Sequence, residues 1–159
     1  MITYKNILYC TDFSDEAEMA CHHAADLAQR YQAKLYVLHV LHSGYRYMRN
    51  VVDEYLDKDE EEFVNQELID RAKVDLQSRY SSLLKNCPDV TYDARPGHPF
   101  VEIVRYAKKQ NVDLIVLGAT GRSELDRQEF GSTVENVARR AHCHVMAIRN
   151  PTAHFTLPG

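Results

Sequence analysis

Four short runs of this chain are almost wholly apolar and carry no helical spacing: Ile7-Leu8-Tyr9-Cys10, Leu35 to Leu41, Leu114-Ile115-Val116-Leu117 and Val145-Met146-Ala147-Ile148. A strand that alternates apolar and polar residues has one wet face, whereas a continuously apolar strand is covered on both. These runs therefore predict buried strands of a parallel sheet. Val90-Thr91-Tyr92-Asp93-Ala94 alternates weakly and predicts another strand, third in chain order.

Between these runs the period changes. Ala17, Ala20, Cys21, Ala24, Ala28 and Tyr31 recur at spacings of three and four, one face of a helix, with Ser14 as its N-cap. Ile69, Ala72, Leu76, Tyr80 and Leu83 mark a second helix, expected to end near Asn86 because Pro88 cannot continue it. Gly97-His98-Pro99 predicts a turn. Phe100, Ile103, Val104 and Ala107 mark a third helix, and Val134, Val137, Ala138 and Ala141 a fourth. Alternating strands and helices imply the α/β class. The expected architecture is a single-domain five-stranded parallel sheet, Rossmann-like, with right-handed crossovers placing helices on both faces. The 159 residues suit one domain, spanning residues 1–150, with a loose tail over 151–159. Within residues 42–66, Tyr45-Arg46-Tyr47-Met48 reads as an irregular loop and Asp53 to Glu62 as a solvated acidic surface.

Charge and cysteine usage exclude several function classes. The net charge is −4, from 19 basic and 23 acidic residues, so no field recruits nucleic acid or an anionic membrane. No apolar run approaches the ~20 residues that span a bilayer, and Met1 to Asn6 does not read as a signal peptide. Cys10, Cys21, Cys87 and Cys143 are well separated, which predicts free thiols in a reducing cytoplasm. His22-His23 point apart on a helix, and His142-Cys143-His144 spans a helix end and a strand start. Without HExxH or CxxC, no metal site is expected. Without GxSxG, no hydrolase nucleophile is expected, and no catalytic residue is assigned.

Open parallel sheets bind ligands beyond the C-terminal ends of their strands, where strand order reverses. Three segments occupy such ends: Thr11 to Ser14, Val40 to His42, and Gly118 to Ser123. The last begins the loop Gly118-Ala119-Thr120-Gly121-Arg122-Ser123, which runs on to Gly131-Ser132-Thr133 at the start of the last helix. Gly118 and Gly121 let backbone N–H groups approach a ligand closely. A helix N-terminus beginning at Gly131 suits a phosphate, with Ser132 and Thr133 adding hydroxyl donors. Arg122 carries a charge that suits phosphate as well. In isolation, a turn followed by an ordinary N-cap accounts for the same glycines. The loop is neither a Walker A sequence nor a dinucleotide GxGxxG.

The pattern Gly118-x2-Gly121-x9-Gly131-Ser132 is similar to the ATP-binding pattern of the universal stress protein family. Ile7 to Ser14 resembles the family's opening strand with its aspartate. Leu35 to Val40 resembles the second strand, Gly97-His98-Pro99 the turn before the third helix, and Arg139 to Arg149 the closing helix and strand. The resemblance covers residues 3–150. It implies a five-stranded parallel sheet of the adenine nucleotide α-hydrolase-like type, binding of ATP or AMP/ADP, and a homodimer. By position it implies that Thr11, Asp12 and Ser14 lie beside the nucleotide and that Val40 contacts the adenine region. It also implies that Gly118, Thr120, Gly121, Arg122, Gly131, Ser132 and Thr133 surround ribose and phosphates. Thr11 and His144 stand where the family often has proline. A carboxylate at Asp12 repels phosphate unless a cation intervenes, so Mg²⁺ on the phosphates is a secondary expectation.

The function expected is a regulatory or stress-response protein that holds ATP without rapid turnover and signals to a protein partner that the sequence does not name. The alternatives are a slow ATPase and a nucleotide-free interaction module. Val145 to Ile148 is expected at a sheet edge, an apolar pairing hazard that a two-fold partner covers, so a homodimer through 145–149 is expected.

Overall fold

The computed structural model describes residues 1–41, 58–120 and 131–150, the side chains of 58–65 excepted. The strands are β1 (Asn6–Cys10), β2 (Lys34–Leu41), β3 (Asp89–Pro96), β4 (Leu114–Gly118) and β5 (His144–Ile148). The helices are α1 (Asp15–Tyr31), α2 (Lys58–Tyr80), α3 (Pro99–Lys109) and α4 (Ser132–Arg140). All neighbouring strands pair in parallel, in the order β3-β2-β1-β4-β5. β1 is central: Ile7 faces Leu35 on one side and Leu114 on the other. Its Ile7, Leu8 and Tyr9 are fully buried, as continuous hydrophobicity requires.

Two cores lie against the two faces. Ile7, Tyr9, Leu35, Val37, Leu114 and Val116 pack with α1 and α2, including Leu76 and Tyr80. Leu8, Leu38, Val40, Ile115 and Leu117 pack with Ile103 and Tyr106 of α3 and Val134 and Val137 of α4. The buried face of α1 is nearly all small, from Ala17, Ala20 and Cys21 to Ala24, Ala25 and Ala28. That lets the helix lie close against β1 and β4.

The helix expected to reach Asn86 loses its regular form at Tyr80 instead. The chain keeps turning beyond it, with Leu84 N donating to the Tyr80 carbonyl and Cys87 N to that of Leu84. Leu83, expected on the helix, therefore lies in these turns. The cause is local. Tyr80 is fully buried with its hydroxyl tied to Thr11, and the next residues pack Leu84 into the core rather than extending the rod. β3 runs longer than its alternating centre because β2 offers partners as far as Leu41, which pairs with Pro96. Proline is tolerated there on an edge strand. The tail over 151–159, the loop Tyr45 to Met48 and residues 53–57 of the acidic stretch lie outside the described residues, while 58–62 begin α2.

Candidate functional site

β1 leads into α1 on one face of the sheet, and α4 follows β4 on the other. The connections therefore part between β1 and β4, opening a crevice at the C-terminal ends of these neighbours. A cleft of about 640 Å³ occupies this place. Thr11 and Asp12, Val40 and Leu41, and Gly118 to Thr120 all line it, so the three strand-end segments converge as far as they are described. Gly131, Ser132, Thr133 and Val134 close it at the start of α4.

The β1–α1 turn is heavily braced. Asp12 Oδ1 accepts from Ser14 N at 2.9 Å, and Ser14 Oγ accepts from Ala17 N at 3.2 Å, capping α1. Ser14 is thus a cap, and it is not among the residues lining the cleft. Thr11 is buried, and its hydroxyl accepts from Phe13 N at 3.0 Å while sharing a 2.6 Å hydrogen bond with the Tyr80 hydroxyl. These bonds hold Phe13 at φ 64°, a left-handed conformation unfavourable for a bulky residue. His39 Nδ1 lies 2.8 Å from the Thr11 carbonyl, and its ring lies 4.6 Å from that of Phe13. Facing a carbonyl, Nδ1 is the protonated nitrogen. Arg79, near the end of α2, sits over both Phe13 and Tyr80.

The exit of β4 passes close under α1. A Cβ on Gly118 would lie 3.2 Å from Ala17 N and from the Glu16 carbonyl carbon, so glycine here serves close backbone approach. Thr120 is buried, and both its N–H and its hydroxyl donate to Glu16 Oε2, at 2.7 and 2.5 Å. Its hydroxyl proton is committed to a carboxylate.

α4 begins at Gly131, whose N–H donates to the Ala119 carbonyl at 2.9 Å. Its N-cap, Gly131, has no side chain to cap it, and among the described residues its first amides are left for solvent or an anion. Ser132 is exposed and Thr133 half-buried. The cleft also has an apolar lining, formed by Val40 with Pro99 and Ile103 at the start of α3 and Leu117 from β4. Gly97, at φ 144°, and Pro99 at the first helical position make the turn that brings α3 there.

Among the described lining residues, Asp12 is the sole carboxylate and no lysine or arginine appears. Burial pushes the Cys10 thiol far above its ordinary range, so it stays protonated at neutral pH and is no nucleophile. Gly121, Arg122 and Ser123 lie outside the described residues. No cluster of three or more His, Cys, Asp or Glu side chains that could hold a metal occurs among the described residues.

The sequence profile of the universal stress protein family matches residues 3–149. The chain belongs to the universal stress protein family. A universal stress protein of Methanocaldococcus jannaschii is 29% identical in an alignment 157 positions long that covers 93% of this chain and 96% of the relative. Its structure superposes with a TM-score of 0.77 at 28% identity, covering 95% of this chain and 99% of the other. The universal stress protein of Lactobacillus plantarum superposes at 0.72 with 34% identity, covering 94% and 100%. The Archaeoglobus fulgidus member solved in complex with dAMP shares the fold, at a TM-score of 0.56 and 24% identity over 94% and 100%.

Sequence reasoning missed Glu16 and His39. An acid in the first turn of α1 reads as a complement to the helix dipole, as Asp15 and Glu18 do. Nothing in the sequence reveals that Glu16 reaches a residue 104 positions away. His39 did leave a signal, as the one polar residue inside the apolar run of β2.

Proposed function

We propose that the cleft binds an adenine nucleotide, ATP or its mono- and diphosphate forms. The observation that carries this is one cleft lined both by apolar side chains, Val40, Pro99 and Ile103, and by the start of α4 at Gly131 to Thr133, whose N-cap residue has no capping side chain. A flat heteroaromatic base suits the first and phosphate oxygens suit the second. Asp12 lies between as a pure acceptor, which matches a ribose hydroxyl or an exocyclic amine rather than a phosphate. The dAMP complex of the Archaeoglobus fulgidus member supports the choice of ligand. Arg122 and Gly121 complete the phosphate end in this reading, with Mg²⁺ on the phosphates as the counter-charge.

The protein holds nucleotide rather than turning it over rapidly. Among the described lining residues, Asp12 already braces the Ser14 amide and His39 is tied to the Thr11 carbonyl, so both candidate bases hold structural bonds. Occupancy then serves regulation or a stress response through a protein partner, and the chain works as a homodimer through the edge strand at 145–149. Mass spectrometry of the ligand carried through purification tests the reading. An adenine nucleotide is expected. Protein of full occupancy carrying a different class of ligand would overturn it, and steady phosphate release that Gly131→Val abolishes would favour a slow ATPase instead.

A further inference from the structure

We propose that Glu16 is a positioning residue for the nucleotide, setting the exit of β4 and, through it, the start of α4. The proposal rests on the nucleotide reading of the cleft and adds a residue to it. Glu16 is the second residue of α1, and both of its carboxylate oxygens act away from its own helix. Oε2 accepts from the amide and the hydroxyl of Thr120, and Oε1 accepts from Asn150 N at 3.2 Å, just past the end of β5. One side chain thus ties the first turn of α1 to the ends of β4 and β5.

The adjoining residue carries that restraint to the phosphate end. Ala119 N donates to the Ile148 carbonyl, and the Ala119 carbonyl accepts from Gly131 N, the N-cap of α4. The helix end that would face phosphate is therefore hydrogen-bonded to the residue beside the one that Glu16 holds. Gly118 brings this segment so close to Glu16 and Ala17 that no side chain intervenes, and a short bridge suffices. Thr120 commits both its amide and its hydroxyl to Glu16. Its hydroxyl hydrogen points at Glu16 and is not available to donate to a phosphate oxygen.

The test combines ATP titration calorimetry with amide exchange by NMR on the full chain. In Glu16→Ala, exchange is expected to rise at Thr120, Gly131 and Asn150 but not at Tyr9 or Val116 in the central strands. ATP binding is expected to weaken about tenfold or more, the order of losing hydrogen bonds to a charged acceptor. Glu16→Gln keeps an acceptor oxygen and recovers part of that loss, and it carries the test should the alanine variant not fold. Thr120→Val keeps the amide bond to Glu16 but loses the hydroxyl bond, and it is expected to weaken binding less than Glu16→Ala. A uniform rise in exchange, unchanged exchange at the three amides, or ATP held equally by wild type and Glu16→Ala would overturn the proposal. So would a Thr120→Val variant that loses binding as fully as Glu16→Ala. Wild-type protein that retains no ATP would overturn the nucleotide reading itself, an outcome distinct from all of these.

Discussion

Gly118 bears most directly on how the cleft is built. Its missing side chain lets β4 leave the sheet directly under the first turn of α1, which Ser14 and Glu16 hold in place. In Gly118→Val the new atoms meet backbone rather than a yielding side chain. A loss of roughly 1–3 kcal/mol in urea denaturation is expected, as for other overpacked sites, together with weakened nucleotide binding. Tyr80 offers a milder case. Its hydroxyl is buried against Thr11, so Tyr80→Phe is expected to cost about 1 kcal/mol by the same measurement. At this scale the glycine positions were legible in the sequence, because only a close approach or a special turn calls for glycine directly after a buried strand. The partners were not. Thr11 binding Tyr80, and Glu16 binding Thr120, are contacts across 69 and 104 residues that depend on the finished sheet.

Elements follow local rules more faithfully. The five strands fall where unbroken apolar runs or weak alternation place them, and α1 starts at the cap its sequence offers. The end of α2 and the length of β3 escaped, since a neighbouring strand and a buried tyrosine decide both. Ser14 separates two roles that its position alone left joined. It caps α1 and stands outside the cleft lining. Ser14→Ala is therefore expected to lower stability by about 1 kcal/mol in a thermal melt while nucleotide affinity stays near wild type. A large loss of affinity at unchanged stability would return Ser14 to the ligand.

The whole molecule presents β5 at one edge of its sheet, with Val145, Met146 and Ala147 half-buried. An apolar edge of this kind invites a second copy. On the proposed homodimer, wild type is expected to scatter light as a dimer and Val145→Lys as a monomer at micromolar concentration; a monomeric wild type, or an unchanged mass in the variant, would contradict an interface at this edge. Alkaline pH tests the core. Burial pushes the Cys21 thiol up to about 12 from an ordinary 9.0, and it pushes Cys10 and Tyr9 up as well. A group whose folded pKa is raised contributes its stability in full below the unfolded value and loses it as pH climbs toward the folded one. The urea midpoint should therefore fall between about pH 9 and pH 12, and Cys21→Ala should make that fall shallower.

The family and the sheet place the cleft, but the claim that matters most is its occupant. Equilibrium dialysis of the purified chain against millimolar ATP, with and without Mg²⁺, addresses it directly. One nucleotide retained per chain, displaced by AMP and lost in Gly118→Val, is the expected result. No retention of ATP, ADP or AMP under either condition would contradict it.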